Sequence, residues 1–186
     1  MSLERRDQLV EHIVETQPEL RDFVRRQPYD LTAGSWDLLS YSFQRGFEVM
    51  WDNARVDMSG LLLRPLLVLW RQSVELSLKA AIKEIAGEIG QNPDHDLSKL
   101  FAQVLEARAG IGYCDDDEYT RNVRDMIALV QSFDPFADRF RYPAARGGEP
   151  FEGIATDFDE LFQAHWTIVT WCEGATIEVV ESRPPG

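Results

Sequence analysis

At 186 residues, with 44% hydrophobic and 27% charged side chains, the chain is long enough for one domain with a hydrophobic core and too apolar for a disordered or fibrous class. Its 32 acids against 19 lysines and arginines leave a net charge of −13, which repels nucleic acid from most of the surface and disfavours RNA or a nucleotide as an unaided ligand. The longest apolar run, residues 61–70, is interrupted by Arg64 and Pro65 and falls well short of the ~20 residues of a membrane span.

The opening MSLERRDQLVEHIVE has no apolar stretch of the secretory kind, so a cytoplasmic protein is expected. Apolar spacings of three and four run through the chain without a competing strand alternation. They predict an all-α fold: an up-and-down antiparallel bundle of about five to six helices in one domain. Residues 1–34 read as a helical extension, with one helix from about Leu3 to Glu15 and a short one opened by Pro18 and closed by Pro28. Residues 35–181 read as the bundle. Ser35 can cap a helix to about Asn53, whose apolar face is Leu38, Leu39, Phe43, Phe47 and Met50 or Trp51.

The next helix, Gly60 to about Ile89, is apolar nearly all round in its first half, which puts it at the centre of the bundle. Pro65 either sits in its first turn or kinks it, and Gly90, Asn92 and Pro93 are expected to end it. Asp94 or Asp96 then caps a helix to about Ala107. The acids of Cys114-Asp-Asp-Asp-Glu118 favour the positive end of a helix reaching about Gln131. Capping explains them better than a metal does, because consecutive acids on one turn point in different directions. Thr156 or Asp157 begins the last helix, to about Val180, with Phe158, Leu161, Phe162, His165, Ile168, Val169, Cys172, Ala175 and Val179 on one face. Before it lies SFDPFADRFRYPAARGG, residues 132–148, an irregular loop too rich in aromatic rings and arginine for a plain connector.

Arg71, Glu75 and Lys79 share one stripe of the central helix. Either that stripe is a solvated face with two weak ion pairs, or it lies at a partly buried junction whose partners are the loop arginines or His95. Phe133, Phe136, Phe140 and Tyr142 are expected to anchor the loop by burying their rings. Arg139 and Arg141 alternate with them, and Arg141 is expected to reach Glu75. His95 reads as a capping or network residue beside Asp96, with a ligand-facing role as the alternative, and His165 as a satisfied core histidine. Cys114 and Cys172 match no metal or redox spacing and are expected to be free thiols. Scattered histidines and cysteines, and the lack of a glycine-rich phosphate loop, lead us to expect no metal and no cofactor.

Three segments in order, LRPLLVLWRQSVELSLKAAI, HDLSKLF and SFDPFADRFRYP, resemble the HEPN superfamily. More narrowly, they look like a bacterial group with Arg-x-x-x-Glu-x-x-x-Lys, then His-Asp-Leu, then Asp-Pro and Phe-Arg-Tyr-Pro. The likeness spans Leu61 to Gly148. It implies a helical bundle, usually dimeric, in toxin–antitoxin or other anti-phage systems. Catalytic members are metal-independent ribonucleases using Arg-Asn-x-x-x-His, in which the arginine steadies phosphorane charge and the histidine moves protons. Here Arg121 and Asn122 supply the pair, but Met126 stands where the histidine belongs; Arg6 and His12 satisfy the spacing outside the matched region.

The leading expectation is therefore a non-catalytic binding or regulatory module, a homodimer, with room for a protein partner in a defence system. An enzyme whose Arg121, Arg124 and Arg139 or Arg141 hold phosphate is the second reading, and a scaffold subunit the third.

Overall fold

The computed structural model describes residues 31–89, 94–145 and 147–182, together with residues 8, 11, 12 and 15–17. Contacts divide the chain into two compact units, Met1–Leu31 and Thr32–Gly186. In the first, Gln8, Glu11, His12, Glu15 and Thr16 are helical and exposed. The rest of the expected first helix and the short one between Pro18 and Pro28 lie outside the described residues.

Among its described residues the second unit is an all-α bundle of five helices: α1 Trp36–Ala54, α2 Leu63–Ala86, α3 Leu97–Gly110, α4 Glu118–Phe133 and α5 Phe158–Ser182. Each start is set locally. Ser35 Oγ accepts from the Leu38 amide, Asp96 from Lys99, Asp117 from Thr120, and Asp157 from both Asp159 and Glu160. Pro65 falls in the first turn of α2, where no amide hydrogen is needed. That helix ends earlier than expected, at Gly87 with φ 82°, a left-handed turn that glycine adopts without strain and that precedes Gly90 and Pro93. It also starts later, leaving Leu61 79% exposed.

Helix α2 packs on α1, α3 and α5, and α4 closes against α3 and α5. The core runs along α2 through Leu66, Trp70, Val74 and Leu78, and is filled by Phe47, Leu97, Leu100, Val104, Val123, Ile127 and Ile168. Three indoles pin the helices through their N–H groups: Trp51 to the Phe158 carbonyl, Trp70 to Leu161 and Trp171 to Thr120 Oγ1. Leu38, expected in the core, is half exposed near the start of α1. No helix among the described residues is long and apolar enough to cross a membrane. Cys114 is exposed and Cys172 buried, both as free thiols.

His165 is the expected core histidine. Its Nε2 lies 2.9 Å from Ser73 Oγ, and its ring is 4.1 Å from that of Phe47. Burial pushes its pKa down from the ordinary 6.5 to about 4. Between those pH values the unfolded chain takes up a proton that the folded chain refuses, so this part of the stability is complete above 6.5 and shrinks as pH falls towards 4. Linkage sets its size at about 3 kcal/mol. Urea midpoints are expected to drop across this window for wild type and much less for His165→Gln; equal drops would remove His165 as the source.

Candidate functional site

The stripe Arg71, Glu75 and Lys79 is buried, at 3%, 1% and 4% exposure, so it is not the solvated face of α2. A charge in such a place must be matched at close range. Glu75 Oε1 accepts from Lys79 Nζ at 2.7 Å and from His95 Nδ1 at 2.9 Å, while Oε2 lies 3.3 Å from Arg71 Nη1. Arg71 also reaches forward: Nη2 donates to the His95 carbonyl, and Nε sits 3.2 Å from Asp134 Oδ2. That last contact is an ion pair whose N–H is not aligned for a hydrogen bond. Two cations and two carboxylates thus close on each other. Burial pulls the Arg71 guanidinium down, Asp134 and Glu75 oppose it, and nearby Arg141 adds to the fall.

His95 is the exposed member, its side chain 72% accessible. In its contact with Glu75 the ring nitrogen Nδ1 donates and the carboxylate oxygen accepts. Asp96 beside it is the N-cap of α3, one of the two caps expected there.

Asp134 is the residue that reading the sequence missed. It is fully buried at the end of α4. Its Oδ1 accepts from the Arg139 amide at 3.0 Å and its carbonyl from Ala137 at 3.3 Å, so one side chain ties the loop to α2. Arg64 of α2 completes the tie by donating from Nη1 to the carbonyls of Arg139 and Tyr142, both at 2.8 Å. The Asp-Pro step after a helix was the available signal, since it marks where the chain turns, but nothing local shows the carboxylate turning inward.

Two expectations about the loop are corrected. Arg141 does not pair with Glu75; its Nη2 donates to Gln72 Oε1 at 3.2 Å, because Lys79, His95 and Arg71 already occupy the carboxylate. The aromatic anchor is also smaller than expected. Phe140 is 5% exposed, but Phe133, Phe136 and Tyr142 are 39%, 73% and 58% exposed. The loop is held by hydrogen bonds and ion pairs more than by rings. The Arg139 guanidinium sits over Phe133, 4.0 Å from its centre, its Nε buried without a hydrogen-bond partner.

Set beside known proteins, the chain matches no family model, no curated protein and no solved structure. The HEPN-like resemblance rests on its own motifs.

Those motifs are divided by the fold. Arg71, Glu75, Lys79 and His95 come together with Asp134, and Arg139, Arg141 and Tyr142 follow on the loop tied to them. Arg121, Asn122 and Arg124 are exposed on α4, and Arg121 Nη1 donates to the Asp116 carbonyl at 2.7 Å. Met126, on the same helix, packs against the core. His12 belongs to the first unit, where its carbonyl accepts from Thr16 Oγ1; Arg6 lies outside the described residues. Among the described residues no group of three His, Cys, Asp or Glu side chains is placed to hold a metal ion.

Proposed function

We propose that this chain is a HEPN-like module that acts by binding and not by cutting RNA, as a homodimer, in the bacterial defence or toxin–antitoxin setting that the resemblance implies. The observation that carries this reading is on α4. The position where a proton-transferring histidine belongs holds Met126, whose side chain faces the core, while Arg121 spends a donor on the helix's own approach segment. The buried cluster supports the same reading, since its two cations and two carboxylates lie within the bundle and neutralise one another.

The test is incubation of the purified chain with total RNA. Wild type is expected to leave RNA intact, and Met126→His is expected to gain no cutting, because the new imidazole would point into the apolar side of the helix. Cutting by wild type that Arg121→Ala abolishes would overturn the proposal in favour of a divergent nuclease. Light scattering at several concentrations tests the dimer separately.

A further inference from the structure

In a chain with 32 acids and 19 lysines and arginines, most arginines should find a carboxylate. Arg45, Arg55, Arg71 and Arg108 do. Arg64, Arg121, Arg124, Arg139 and Arg141 carry no ion pair among the described residues, and three of these five belong to the loop clasp: Arg64 is spent on two carbonyls, Arg139 on an aromatic face, and Arg141 on the neutral Gln72 amide. A local excess of positive charge therefore stands against the sign of the whole molecule.

That excess borders a cavity of about 560 Å³ lined by Phe136, Asp138, Arg141, Tyr142 and Pro143, a size suited to a small molecule. Phe136 and Tyr142, which fail to bury themselves in the bundle, are the exposed rings on this lining. Arg141 has one acceptor, on a single nitrogen, so most of its five donors have no hydrogen-bond partner among the described residues. Asp138 is the one acid in the lining. Its backbone carbonyl is committed to the amides of Arg141 and Tyr142 at 3.0 and 2.9 Å, and its carboxylate forms no ion pair with Arg141. The frame is preorganised: Ala137 is held at φ 56°, a conformation a non-glycine residue keeps only when its surroundings impose it, by Asp134 behind it.

The geometry points to this cavity as a binding site for a small anion that carries a planar ring, with the carboxylate or phosphate on Arg141 and the ring against Phe136 and Tyr142. A guanidinium takes such an anion through two parallel N–H donors, and exposed rings offer a flat surface that charge alone does not need. The inference rests on the reading of the chain as a binding module and adds the chemistry of what it binds.

Isothermal titration of the full chain with phenyl phosphate and benzoate tests it, with adenosine monophosphate as a further arm and with inorganic phosphate and benzyl alcohol as the charge-only and ring-only probes. At least one ring-bearing anion is expected to bind, and which one separates a phosphate from a carboxylate and a nucleotide from a simple ring. Inorganic phosphate, benzyl alcohol and the Arg141→Ala variant are each expected to fall about tenfold or more, the size of one lost charge-assisted contact. Tyr142→Ala should weaken the ring-bearing probes and leave inorganic phosphate as it was, and Arg45→Ala, on α1, should change nothing. No binding by wild type up to millimolar concentration, or equal binding by wild type and Arg141→Ala, overturns the site. Neither result touches the reading of the chain as a non-nuclease, which only RNA cutting would remove.

Discussion

Glu75→Ala is expected to be the most damaging single change in the bundle. The residue is 1% exposed and holds three partners, so its loss leaves Lys79 and Arg71 buried with Asp134 as the remaining carboxylate. Removing one member of a buried ion pair costs about 3–5 kcal/mol, mostly through the stranded charge. In a domain of this size each kcal/mol moves Tm by about 2–4 °C, so a fall of about 10–15 °C is expected by circular dichroism. Glu75→Gln should fall less, since it keeps the shape and one acceptor. The double variant Glu75→Leu with Lys79→Met should recover much of the loss, because it removes the stranded cation along with its partner and leaves Arg71 on Asp134. A single-variant loss below about 1 kcal/mol would mean that the cluster is solvated and behaves as a surface pair.

Arg108→Ala is the second large effect, and nothing in the sequence singles the residue out. It is 4% exposed at the end of α3, where Nε and Nη2 grip the two oxygens of Asp115 at 2.8 Å each. Nη2 also reaches Glu178, and Nη1 donates to the Ala175 carbonyl at 2.7 Å, so one side chain fastens α3 and the connection after it to α5. The Tyr113 ring covers the guanidinium at 4.3 Å. Hydrogen bonding to Asp115 raises its pKa, with burial opposing. Truncation leaves Asp115 and a buried carbonyl unpaired, at about 2–4 kcal/mol. Arg108→Lys is expected to restore only part of it, since an ammonium cannot meet a carboxylate with two parallel donors. Denaturant midpoints for both variants check this, and full rescue by lysine would show that charge alone, without the fork geometry, holds the joint.

The helices and their starts were legible because their causes are local. Ser35, Asp96, Asp117 and Asp157 each cap an amide no more than three residues away, and the apolar spacing of α5 named the face that is buried at His165, Ile168, Cys172 and Val179. The end of α2 was less so: Gly87, Gly90 and Pro93 all offer a stop, and only the φ of 82° at Gly87 says which one the chain takes. The spacing of Arg71, Glu75 and Lys79 was equally visible, but a repeat of four is the same on a solvated face as in a buried one.

What the sequence by itself determined is therefore the all-α class, the order of the helices in the bundle and the stripe of charges on α2. Tertiary structure alone decided that the stripe is buried, that Asp134, 63 residues from Arg71, closes it, and that Arg141 turns to Gln72. It also decided which loop rings are covered. A segment broken by Pro135, Pro143, Gly147 and Gly148 has no period from which an inward face can be read, so Phe140 is buried and Phe136 is not for reasons that lie in the inward turn of Asp134 and in α2, far away along the chain.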